Sequence, residues 1–349
     1  MKKIFILCIT LCTATCILFA GNPDRQGEAG AYELLMNPWA KSAGLHTINT
    51  GSIGGVEAMR LNPAGVSRVM GTELALSHTF YLVGTDISLN AAGFAQKVGK
   101  SGAFGVSIMA VDVGDLPITT VDQPEGTGAT FSPGFINIGL SYAHTFENKV
   151  SVGVTLRGIS ESTADLNATG FAIDAGVQYV SGDNDEFKFG ISLRNVGSPM
   201  SYKGEGLSYQ LEIDETTKIF SGRSETFELP SVLNIGASYD FQLDESSKHM
   251  ITVLGNFTAN SFSNDQLSGG LEYSMAKLFQ IRAAYRYTTG LNSGKDTVAK
   301  APVYNGLAAG VSVMIPLNKE TEAKLAIDYG YRSSDPWDGS HSLALRMLF

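Results

Sequence analysis

The chain has 349 residues, with 25 Lys and Arg against 34 Asp and Glu and a formal net charge of −9. That acidic balance argues against nucleic acid as a partner. Charged residues are only 17%, glycines number 39, and past the N-terminus no stretch reaches the roughly eighteen apolar residues of a membrane helix. A membrane location would therefore require a closed barrel, since only helices and closed sheets pair every backbone group in lipid.

The first twenty residues read as a secretory signal. Lys2 and Lys3 are followed by an apolar run from Ile4 to Phe19, then by the small pair Ala20-Gly21. Cys8, Cys12 and Cys16 all lie within this run, and Thr13-Ala14-Thr15 before Cys16 is not a lipid-attachment box. Cleavage after Ala20 would leave no cysteine and take the formal charge from −9 to −11 as Lys2 and Lys3 depart. Such a chain must be held by packing or strand pairing, not by disulfides.

Residues 21 to 70 show no strand alternation. Glu28 to Gly44 mixes helix formers with Pro38, and Gly51 to Met70 is rich in glycine and small residues. About fifty such residues ahead of a barrel suggest a partly helical plug in the lumen. The expected organisation is thus signal peptide 1–20, plug 21–70 and transmembrane β-barrel 71–349.

From about Gly71 onward the pattern has period two. Phe171, Ile173, Ala175, Val177 and Tyr179 alternate with Ala172, Asp174, Gly176 and Gln178. Phe187 to Leu193, Leu233 to Phe241, Ile281 to Tyr287 and Ala323 to Tyr331 repeat this, and the last strand sets Leu343, Leu345, Met347 and Phe349 against Ser342, Ala344 and Arg346. We count fourteen strands, starting near residues 71, 85, 101, 134, 149, 167, 186, 230, 248, 265, 278, 304, 321 and 340. The apolar face carries Tyr and Phe toward its ends, as a lipid band with aromatic girdles requires, and the other face is polar. A soluble sandwich would turn the apolar face inward, and periodicity alone does not separate the two. Strand length, the repeated charges and the terminal Phe349, read as the signal for the barrel-assembly machinery, favour an all-β transmembrane barrel in outer-membrane lipids. An even count puts both termini on the periplasmic side.

Short turns at Glu147-Asn148-Lys149, Asp244-Glu245-Ser246 and Asn318-Lys319-Glu320 alternate with long loops at Gly114 to Pro133, Gly197 to Pro230 and Thr289 to Tyr304. Long loops are candidates for partner contact. Phe131, Tyr202, Tyr209, Phe220 and Phe227 offer aromatic anchors, or pack over the barrel mouth.

Alternation also sends Arg157, Asp174, Arg194, Arg282, Arg286, Asp328, Arg332 and Arg346 into the lumen, because charge on the lipid face is costly. They either line a path for an anionic or amphipathic solute or form ion pairs that anchor the plug through Glu57 or Glu33. The five histidines (His46, His78, His144, His249, His341) are far apart and read as loop or rim residues, so no metal site is expected. Asp183-Asn184-Asp185-Glu186 lacks EF-hand spacing and reads as a turn. Gly126-Thr127-Gly128 and Gly204-Glu205-Gly206 are lone glycine pairs. No hydrolase elbow, P-loop or dinucleotide fingerprint occurs, so neither an enzyme nor a cofactor is expected.

Three segments carry a resemblance. Leu61-Asn62-Pro63-Ala64-Gly65 precedes the first strand, Gly105-Val106-Ser107-Ile108-Met109 leads to Gly114-Asp115-Leu116-Pro117-Ile118-Thr119, and Leu229-Pro230-Ser231 opens a strand running to Tyr239. Together they resemble the PorV/PorQ family, a branch of the FadL-like outer-membrane barrels. The resemblance implies fourteen strands and an N-terminal plug in which Asn62 to Gly65 is the signature. It also implies a role in the type IX secretion system of Bacteroidetes, with translocon and cargo proteins as partners. FadL relatives instead take up fatty acids or other hydrophobic small molecules, which is the alternative function.

Overall fold

The computed structural model describes residues 21–213, 216–244, 248–276, 278–290, 302–317, 323–335 and 337–349. The expected signal peptide, the Asn318-Lys319-Glu320 turn, Glu245-Ser246 and most of the 289–304 loop lie outside them.

Fourteen antiparallel strands close into one barrel: β1 (Thr72–Tyr81), β2 (Ile87–Val98), β3 (Gly102–Asp112), β4 (Gly134–Thr145), β5 (Val150–Thr163), β6 (Leu166–Ser181), β7 (Phe187–Gly197), β8 (Val232–Gln242), β9 (His249–Asn260), β10 (Gln266–Met275), β11 (Phe279–Thr288), β12 (Gly306–Pro316), β13 (Lys324–Arg332) and β14 (Ser340–Leu348). Each pairs with its sequence neighbour. β1 pairs with β14, setting His78 opposite Leu343, so no edge is left open. All fourteen begin within three residues of the positions expected from alternation.

The strands alternate because one side chain in two meets lipid. β6 shows this along its length, with Phe171, Ile173, Val177 and Tyr179 exposed outward and Ala172, Asp174 and Gln178 buried inward. Strands of 9 to 16 residues are long enough for a tilted crossing of the hydrocarbon layer. Among the described residues no helix is long and apolar enough to cross a membrane.

One strand breaks the rhythm. In β7, Arg194 and Asn195 are both buried, Asn195 has φ 60°, and the register against β6 shifts between Ile173 and Ala175. This β-bulge aims two consecutive side chains inward opposite Asp174, whose Oδ1 accepts from the Asn195 amide at 2.7 Å.

The strand ends at Thr72 and Leu348 share one end of the barrel with the short turns. That end also holds the Asp183-Asn184-Asp185-Glu186 segment, a solvated turn in which the Asn184 amide donates to Glu186 Oε2 at 2.9 Å. Of the connections at the opposite end, 113–133, 198–231 and 289–305 are long, while 82–86, 164–165, 261–265 and 333–339 are short. The expected rhythm of long and short thus holds for only three of seven hairpins. The two ends of the barrel itself, Thr72 and Leu348, share one side, as the even strand count requires. Gly21 lies at the long-loop end, against Ser263 and Asp265, because residues 21–70 run the length of the lumen before β1 starts.

Those residues fill the barrel with short turns of helix, including α1 (Ala40–Ala43) and α2 (Ala58–Leu61), and with a 3-10 segment at Pro63–Arg68. The main hydrophobic core therefore sits inside the barrel, where Trp39, Val56, Met59, Leu61 and Val66 pack against Leu89, Ala95, Ala103 and Ala143 of the wall.

Candidate functional site

Asn62 organises the plug locally. Its Oδ1 accepts from the Ala64 amide at 3.2 Å, capping the 3-10 segment that Pro63 begins with its preset φ. Its Nδ2 donates to Thr50 O at 2.9 Å within the plug and to Val177 O of β6 at 3.1 Å. Pro63, Ala64 and Gly65 are buried with it. The wall opposite is built from glycine. A Cβ at Gly176 would run into Asn62, one at Gly153 into the Pro63 carbonyl group, and one at Gly190 into Thr50 and Gly51. Gly153 and Gly176 are direct cross-strand partners. Backbone thus meets backbone, and Gln178 Nε2 adds bonds to Thr50 O and Ile53 O at 3.0 Å each.

All eight charged side chains assigned to the lumen lie on the inner wall, with Arg286 the most exposed. Among the described residues five ion pairs form within the wall: Arg157–Asp174 at 2.6 Å, Arg346–Asp328 at 2.6 Å, Arg282–Glu272 at 2.9 Å, Arg346–Glu73 at 3.9 Å and Lys188–Asp240. Four arginines reach further and hold the plug by its backbone. Arg157 donates to Met59 O at 3.0 Å, Arg194 to Arg60 O at 2.6 Å and Arg332 to Asn37 O at 2.9 Å, and Arg286 donates to His46 O. Such charge-assisted bonds saturate carbonyls that short helical turns leave open.

Among the described residues, neither Glu57 nor Glu33 forms an ion pair with a wall arginine, so the expected anchoring by carboxylates is corrected to anchoring by carbonyls. Glu57 accepts from the Ser42 amide, and burial raises its pKa above the usual carboxylate range. Glu33 accepts from Asn137 Nδ2 at 3.2 Å, while plug Arg60 donates to its carbonyl. Burial and the nearby Glu161 carboxylate raise the Glu33 pKa to about 7.

The histidine expectation also needs correcting. His46 is fully buried in the plug, and burial beside Arg286 and Arg332 lowers its pKa to about 2, so it is neutral. His78 is mid-strand on the lipid side of β1 and bonds Asn90 at 2.8 Å. Among the described residues no cluster of His, Cys, Asp and Glu is placed to hold a metal ion.

The described residues of the 198–231 loop form further short strands. Met200–Ser201 pairs with Thr226–Phe227, Lys203–Gly204 adds to β6, and Ser208–Ile213 pairs with Thr216–Ser221 as a projecting hairpin. The five aromatics divide between two roles. Tyr202 and Phe227 pack down onto Ala31, Leu34 and Met200, and the Tyr202 hydroxyl donates to Glu161. Tyr209 and Phe220 stack with centroids 5.7 Å apart on the hairpin, where they stay 53% and 37% exposed. Phe131 is half-buried where Thr130–Phe131 pairs with Leu116–Pro117.

Between the plug and this mouth lies a cavity of about 400 Å³, lined among others by Tyr32, Leu35, Met36, Tyr304, Arg194 and Arg286. Sequence reasoning missed its plug side, as it missed Gly153 and Glu161. For the glycines a signal existed, because Gly176 and Gly190 interrupt a polar face where a water-filled lumen would carry side chains.

The sequence profile of the type IX secretion system membrane protein PorP/SprF matches residues 58–347. The chain belongs to the PorP/SprF family. The motifs resembled PorV/PorQ, and the common ground with PorP/SprF is type IX secretion. Among curated proteins no sequence matches. Solved structures share the fold. The CymD monoaromatic hydrocarbon channel superposes with a TM-score of 0.55 at 14% identity, covering 88% of this chain and 95% of its own. The Ralstonia pickettii toluene transporter TbuX gives 0.54 at 14%, covering 90% and 98%. A Pseudomonas aeruginosa FadL homologue gives 0.51 at 12%, covering 88% and 96%. The PorP/SprF chain is thus a membrane β-barrel of FadL-like shape.

Proposed function

We propose that this chain is an outer-membrane accessory of type IX secretion that binds translocon or cargo proteins through its long loops, which face the cell surface. Phe349 then closes the final strand for the barrel-assembly machinery, and residues 1–20 are the export signal. The part played by PorV-like barrels, receiving cargo, extends this reading.

The observation that carries it is the hairpin 208–221. Two strands alone are marginal in water, yet this pair stands clear of the barrel with Tyr209, Leu211, Ile213, Ile219 and Phe220 all exposed. An apolar, aromatic surface at that height suits a protein partner, since rigid aromatics concentrate binding energy at interfaces. Deleting 208–221 from the tagged native protein should abolish co-purification of secretion partners while the barrel stays heat-modifiable on gels. Unchanged partner recovery would refute the assignment.

The mouth cavity favours a second reading. Apolar Leu35, Met36 and Tyr304 beside the Arg194 and Arg286 guanidiniums suit an amphipathic anion, and the structural relatives include hydrocarbon transporters. In that reading the plug gates uptake. A deletion strain lacking redundant homologues that grows normally on such solutes would count against it.

A further inference from the structure

At the short-turn end a second cavity of about 370 Å³ opens where the plug meets the wall. Arg68 ends the plug's 3-10 segment, Lys97 is the last inward residue of β2, Lys100 lies in the β2–β3 turn and Lys149 in the β4–β5 turn. Against these four cations the lining holds Glu147 and Asp185, a local excess of two positive charges in a chain of net charge −9. Lys149 is paired with Asp185 at 2.6 Å, and Lys97 donates to Ser67 O at 2.6 Å. Arg68 Nε is buried and has no hydrogen-bond partner among the described residues. Lys100 is exposed. Hydroxyls complete the lining: Thr145 donates to Ser67 Oγ at 2.8 Å and lies 2.9 Å from Ser151 Oγ, and Ser101 is beside Lys100.

We propose that this cavity is a docking site for an acidic stretch of a periplasmic protein, whose carboxylates enter between Arg68, Lys97 and Lys100. Cations backed by hydroxyl donors in a concave, partly desolvated site are the chemistry that recognises carboxylates. A lipid headgroup fits less well, because Lys97, Thr145 and Ser151 face the lumen side of the strand ring and lipid surrounds its outside. The site rests on the orientation proposed above but is independent of the outer hairpin. It gives the barrel a contact on each side of the membrane.

Detergent-purified full-length protein titrated with a fluorescein-labelled hexaglutamate peptide tests this by anisotropy. Binding should weaken steeply with salt, and Lys100→Glu should weaken it by about tenfold or more. Lys248→Glu makes the same charge change in another turn at this end and should bind as the parent does, as should the 208–221 deletion. Heat-modifiability on gels checks that each variant is folded. No binding, equal binding by Lys100→Glu, or equal loss in Lys248→Glu would overturn the proposal. So would displacement of the peptide by inorganic phosphate at matched charge, which marks a small-anion site, or by phosphatidylglycerol vesicles, which marks a lipid site.

Discussion

Asn62 of the plug donates its side-chain amide to the carbonyl of Val177 on the barrel wall, 115 residues away, at 3.1 Å. The contact exists because the residue before Val177 is a glycine, and Gly153 beside it is another. Gly176→Ala would put a methyl group where Asn62 Oδ1 lies. The plug would have to lift from β5–β7, leaving buried carbonyls unpaired at about 1–3 kcal/mol each. We expect Gly176→Ala and Asn62→Ala to assemble as barrels with lowered thermal stability and raised ion conductance in planar bilayers. Conductance identical to the parent would mean that the plug does not depend on this cradle.

Asp174 is buried in the wall with two partners. It receives Arg157 and the Asn195 amide at the bulge, while Arg157 also holds Met59 O. Asp174→Asn would leave the buried Arg157 guanidinium without its counter-charge, and breaking a buried pair from one side costs about 3–5 kcal/mol. Denaturant unfolding in detergent should register that loss, and Arg157→Met combined with Asp174→Leu should recover only part of it, because Met59 O and the Asn195 amide stay unpaired. A single variant as stable as the parent would show that the pair is solvated.

How much of this was legible beforehand depended on whether the signal was local. Alternation is a property of each strand by itself, so β1 to β14 could be read directly, and the same parity sent Arg157 and Arg346 inward. What Arg157 and Arg194 meet there could not be read. Their acceptors are backbone carbonyls of Met59 and Arg60, which carry no residue-type signature. Tyr202 and Tyr209 look equivalent in sequence, yet one packs beside Glu161 and the other faces solvent. Only the course of the 198–231 loop distinguishes them.

Glu33 should make the plug sensitive to pH. Its pKa is raised to about 7, first by burial and then by Glu161, so the folded protein binds a proton more tightly than the unfolded chain does. Stability from this group is therefore largest below the ordinary carboxylate range and is lost as pH rises toward about 7, by up to about 3 kcal/mol. We expect protease nicking of the plug and of the neighbouring 198–231 loop to quicken between pH 5 and pH 8. Glu33→Gln should flatten that dependence. A Glu33→Gln profile that still follows the parent would assign the titration to another group.

The orientation of the whole barrel can be tested with one pair of residues. Leu140 and Leu156 are cross-strand partners near the middle of β4 and β5, 56% and 57% exposed on the outer face. If that face meets hydrocarbon, Leu140→Arg places a charge near the bilayer midplane and should cost about 2–4 kcal/mol of folding stability in lipid. The same substitution at Ile219, 69% exposed on the outer hairpin, should leave barrel stability unchanged because water solvates the guanidinium there. Folding into lipid vesicles of defined thickness separates the two cases. If Leu140→Arg proves as harmless as Ile219→Arg, the apolar outer face is not in contact with lipid, and the membrane assignment fails for β4 and β5.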